Sequence, residues 1–130
     1  MFVAFFLYFV FVPADQANLH VSDLAIQRGY GIFDFFRVME NHPLFVDDYL
    51  NRLYASATEM QLEVSYTKEK LKEILFELIR RNTIPQSGVK IILTGGYSPD
   101  AFQITTPNLV ITQQPLLISR EPVLPKGIKV

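Results

Sequence analysis

Apolar residues recur three and four positions apart at Leu50, Leu53, Tyr54, Ala57 and Met60, the spacing of a helix that buries one face. Asp47 and Asp48 open this stripe, where either carboxylate is placed to cap free amides and to favour the helix dipole, and the helix is expected to run to about Met60. Arg52 lies off the stripe. A second stripe, Leu71, Ile74, Leu75, Leu78 and Ile79, follows Thr67 as its cap. Lysines and arginines on its other sides alternate with Glu69, Glu73 and Glu77, the pattern of a solvated face.

Outside these stripes the pattern is that of strands. "MFVAFFLYFVFV" is aromatic and β-branched, ends at Pro13 and Asp15, and predicts one buried strand or a pair. "IFDFFRVMEN" is a strand with "HPLFV" as its hairpin partner, the turn lying near Glu40 to Pro43. "ANLHVSDLAIQRGYG" lacks a period and reads as loop and short irregular structure. "VKIILT" and "LVITQQ" are strands on either side of the long turn "GGYSPDAFQITTPN"; a proline-punctuated connection then leads to "IKV", the opening of another strand. Strands, two helices and strands again predict an α+β domain, an antiparallel sheet packed against two helices, formed by residues 1–130.

A chain of 130 residues that is 49% hydrophobic and 13% aromatic builds a core, which excludes disorder. A net charge of −1 offers no general attraction to a phosphate backbone, so no nucleic acid is expected as a partner. Without cysteine there are no disulfides and no thiolate metal site, which suits a cytoplasmic protein; His20 and His42 have no metal-ligand spacing, and no metal is expected. The opening run lacks a basic start and falls short of the roughly 20 apolar residues of a membrane span. A membrane-surface role for residues 1–12 is the weaker alternative to a strand.

On the residues alone, catalytic signals are sparse. There is no Walker loop, dinucleotide fingerprint or nucleophile elbow. "RGYG" and "TGG" either present amides to an anion or supply positive φ angles. Arg52 reads as an ordinary solvated charge. Lys90 shares a strand face with Ile92 and Thr94, where it either protects an edge or stands in an apolar setting suited to chemistry.

Three motifs in order, "SDLAIQRGYGIFDFFRV", "DDYLNRLYASA" and "VKIILTGGYSPD", resemble the amino-terminal domain of fold type IV pyridoxal-phosphate enzymes. These are the branched-chain and D-amino-acid aminotransferases and the aminodeoxychorismate lyases, and the likeness runs from about Phe11 to Val130. The resemblance implies the small domain of a two-domain enzyme that exchanges an amino group between an amino acid and a 2-oxo acid as a homodimer. It implies that Arg52 binds the phosphate of pyridoxal 5'-phosphate, and that Phe33, Lys90 and Tyr97 line the substrate side. Asp34 stands where relatives carry glutamate, and Gly95 where many carry an arginine.

The lysine that carries the cofactor belongs, in that family, to a carboxy-terminal domain. The 130 residues alone are therefore expected to hold no catalytic residue, to bind no cofactor and not to transaminate. A non-catalytic binding or assembly module with the same fold is the alternative from another class.

Overall fold

The computed structural model describes residues 3–7 and 9–116. The opening run folds as a hairpin, β1 (Ala4–Leu7) and β2 (Val10–Pro13), followed by a 3-10 turn at Ala14–Gln16. Then come a short helix α1 (Leu24–Arg28), strands β3 (Gly31–Met39) and β4 (His42–Pro43), helices α2 (Val46–Glu59) and α3 (Lys68–Asn82), and strands β5 (Ser87–Thr94) and β6 (Leu109–Pro115). The six strands form one sheet in the order β2-β1-β6-β5-β3-β4, antiparallel throughout. The expected final connection and the "IKV" strand lie outside the described residues.

The two-residue alternation of β3 divides its side chains sharply. Asp34, Phe36 and Val38 are buried beneath the helices, while Phe33, Phe35, Arg37 and Met39 are exposed on the other face. Register carries this division across the sheet: Phe36 pairs with Val89 and Asp34 with Ile91, whereas Phe35 pairs with Lys90 and Phe33 with Ile92. The core lies between the covered face and helices α2 and α3, where Leu50, Leu53, Leu71, Leu75 and Leu78 meet Phe36, Val89 and Ile91. The Phe35 ring covers Gly88 on the neighbouring strand; a Cβ there would come within 2.3 Å of its ring.

The helix ends correct one expectation. α2 is not capped by Asp47 or Asp48, because Phe45 occupies the N-cap at φ 57° with no side-chain hydrogen bond. Both aspartates sit inside the first turn, where their charge still favours the dipole, and Asp47 pairs with Lys72 at 2.9 Å. α3 begins as expected, Thr67 accepting from the Lys70 amide at 3.1 Å. Its outer face is solvated and internally paired: Arg80 and Arg81 hydrogen-bond Glu77 and hold its carboxyl down to about 2.

The segment read as irregular loop contains α1, which Asp23 starts by accepting the Ala25 amide at 2.8 Å. The β3–β4 turn falls at Glu40 and Asn41, both at positive φ, within the expected span. At the far end of the core, Asn82 bonds both the amide (2.7 Å) and the carbonyl (3.0 Å) of Ala4, fastening the end of α3 to β1 as a strand would. Its amide also donates to Gln113, which donates in turn to Ser87.

Candidate functional site

Arg52 sits in the second turn of α2, off the buried stripe, and points over β3. Its Nε donates to Asp34 Oδ2 at 2.9 Å and its Nη2 donates to Oδ1, a bidentate pair. The Asp34 side chain is only 8% exposed, whereas that of Arg52 is 62% exposed, so a buried carboxylate holds a guanidinium whose outer edge faces solvent. Tyr49, one turn earlier, lies with its ring centroid 5.0 Å from Arg52 Cζ. Hydrogen bonding and attraction to Asp34 raise the pKa of Arg52, which stays charged at any working pH.

Phe33 and Asp34 are consecutive and project from opposite faces of β3. Phe33 is 64% exposed on the open face, and Lys90 Nζ stands 4.9 Å from its ring centroid. The outer edge of β3 pairs with β4 only at Val38 and Met39, so among the described residues the edge beside Phe33 and Asp34 carries no strand. The structure thus joins Phe33 with Lys90 and seats Arg52 on the next residue, across an open edge.

Tyr97 has a different setting, beyond the end of β5. Its hydroxyl accepts the His20 amide at 3.2 Å, its ring stands edge-on to His20, and its backbone bridges Asp23. It lines a cleft of about 290 Å³ together with Phe9, Tyr66, Thr105 and Asn108.

The two glycine turns resolve to their structural reading. Gly29 ends α1 at φ 64°, its amide donating to the Ala25 carbonyl. In "TGG", the Gly95 amide donates to the Tyr30 carbonyl and the Gly96 amide to Thr94 Oγ1, so neither amide is offered to an anion. Gly95 is also packed tightly, since a Cβ there would lie 2.8 Å from Leu24 Cδ1. A side chain at this position requires Leu24 and Tyr30 to shift.

Sequence reasoning missed the group that fastens this turn. Asp23 is fully buried, and its Oδ2 accepts from Thr94 Oγ1 at 2.8 Å and from Asn108 Nδ2 at 2.7 Å. The available signal was local: "SDLA" is a polar residue before a helix start. The pairing of Asp34 with Arg52 was missed as well, although alternation along "IFDFF" puts Asp34 on the face of Phe36. Among the described residues no three His, Asp or Glu side chains are grouped to hold a metal, and no helix is long and apolar enough to cross a membrane.

The architecture is that of the small domain of branched-chain aminotransferases. The branched-chain aminotransferase of Thermoproteus uzoniensis, solved with norvaline, superposes with a TM-score of 0.77 at 22% identity, over 88% of this chain and 41% of that one. The Escherichia coli branched-chain enzyme gives 0.76 at 21% identity, over 89% and 40%. A family model described as amino-transferase class IV matches residues 31–129. Among curated proteins, the D-alanine aminotransferase of Staphylococcus haemolyticus is 29% identical over 76% of this chain, and that of Listeria monocytogenes serotype 1/2a (strain 10403S) is 31% identical over 65%. The chain belongs to the class IV aminotransferase family, whose members depend on pyridoxal phosphate, and corresponds to its amino-terminal region. It spans about a third of the length of these curated relatives, 35% and 29%.

Proposed function

We propose that this chain is the amino-terminal domain of a pyridoxal-phosphate-dependent aminotransferase in which Arg52 holds the cofactor phosphate and Phe33 and Lys90 form the substrate wall. The observation that carries the reading is the outward edge of Arg52. Of the five N–H donors on a guanidinium, two go to Asp34, leaving three directed away from it on a solvent-facing group. Such a planar fork fits the oxygens of a phosphate, so the donor set suits the group the family employs.

When bound, pyridoxal phosphate supplies an electron sink that stabilises negative charge at the substrate α-carbon. The chain's own residues orient and select. Phe33 offers an exposed ring on the open face, and Lys90, held over that ring, brings a positive charge suited to a carboxylate of the amino acid or 2-oxo acid. Tyr97 lines the separate cleft with Phe9 and Tyr66 and is left out of this wall. The acid–base group for the α-proton and the lysine that carries the cofactor are assigned to the remainder of the enzyme. We place the enzyme in the cytoplasm as a homodimer; the lack of cysteine and the exposed Phe33, Phe35 and Met39 support that reading.

The test is Arg52→Ala in the full-length protein. Loss of charge-assisted bonds to the phosphate weakens cofactor binding roughly 10- to 100-fold, read as a dissociation constant by absorbance titration. Unchanged affinity removes the assignment.

A further inference from the structure

We infer that Asp34 is a positioning residue for phosphate binding, fixing the direction in which Arg52 presents its free donors. The inference rests on the proposed role of Arg52. An arginine on a helix surface has large rotamer freedom, and a solvated one points nowhere in particular. Here the partner is immobile: Asp34 extends from the middle of β3 onto the covered face, its side chain 8% exposed, and its Oδ1 also accepts the Phe35 amide at 3.0 Å. A carboxylate so placed has little water to turn to and needs a cation. Arg52 is the cation that the structure gives it, through two parallel bonds that fix the plane of the guanidinium as well as its position. Tyr49 stands against the same group, 5.0 Å from Cζ. The three donors left over belong to a side chain that is 62% exposed, so they are open to a ligand.

Electrostatics and geometry make opposite demands of Asp34, which allows the two to be separated. The carboxylate neutralises Arg52, so on charge alone its removal strengthens attraction for a dianion. On geometry its removal frees the guanidinium and weakens binding. The inference is that geometry dominates.

The experiment compares pyridoxal 5'-phosphate with pyridoxal, the same ring lacking phosphate, as ligands of the full-length apoprotein. Dissociation constants are measured for wild type, Asp34→Asn, Asp34→Glu, Arg52→Ala and the Asp34→Asn/Arg52→Ala double variant. Asp34→Asn is expected to weaken pyridoxal phosphate about tenfold while leaving pyridoxal within about twofold, with Asp34→Glu recovering most of the loss. The double variant is expected to bind no more weakly than Arg52→Ala alone, because Asp34 acts only through Arg52. Tighter or unchanged binding of pyridoxal phosphate by Asp34→Asn overturns the inference, as does an equal loss for both ligands, the mark of general damage. Should the asparagine variant fail to fold, Asp34→Ser removes the same hold while leaving Arg52 and its outward donors in place. A tenfold loss confined to pyridoxal phosphate then supports the inference, and wild-type affinity overturns it. If Arg52→Ala itself weakens both ligands equally or neither, the phosphate role of Arg52 has failed; if it discriminates and Asp34→Asn does not, only the role of Asp34 has.

Discussion

Lys90 shows how one residue's meaning depends on its neighbours. In the sequence it is a lysine in an apolar strand, readable as edge protection or as chemistry. In the fold it is no edge residue, because β5 lies between β3 and β6. Its ammonium is held over Phe33, a placement that suits recognition of an anionic substrate. Lys90→Gln in the full-length enzyme is therefore expected to raise the KM for the 2-oxo acid about tenfold with a small change in kcat, in initial-rate measurements. A loss confined to kcat would place Lys90 in the chemistry instead. Arg52 was conspicuous in the sequence as a charge off the stripe, but Asp34, 18 residues away, was not tied to it, because nothing local relates a strand position to a helix position.

At the scale of elements, the helices were legible because their information is local. The stripes at Leu50 to Ala57 and Leu71 to Ile79 and the cap at Thr67 each lie within a few turns of what they determine. The start of α2 was not legible: the acidic residues that signal a cap lie within the first turn rather than at the cap, and the chain enters through Phe45 at positive φ. The end of α3 depends on a distant partner in the same way. Asn82 is 5% exposed and satisfies both backbone groups of Ala4, 78 residues away. Asn82→Ala is expected to cost about 2–4 kcal/mol, since it leaves part-buried backbone groups of β1 and the buried Gln113 without their partner. Urea unfolding of the purified variant gives the value; a loss below half a kcal/mol would mean that water replaces the amide.

For the molecule as a whole, Asp23 is the residue that binds distant segments together. It gathers Thr94 at the end of β5 and Asn108 at the start of β6 onto the head of α1, fixing the turn that carries Tyr97. Asp23→Ala is expected to destabilise by about 3 kcal/mol and to speed amide hydrogen exchange at residues 94–98 before that of β3 or α3. Equal loss of protection everywhere would show the node to be part of the global core rather than a local fastening.

The sequence by itself determined the α+β class, the two long helices and their buried faces, the strands and the resemblance that singled out Arg52, because periodicity, capping and motif spacing act over a few residues. The tertiary structure alone decided that β6 enters between β1 and β5, that Gly95 is walled in by Leu24 and Tyr30, and that Asp34 reaches Arg52. Those outcomes depend on which distant surfaces meet, and in a core packed this closely that choice is made by complementarity among all the elements together.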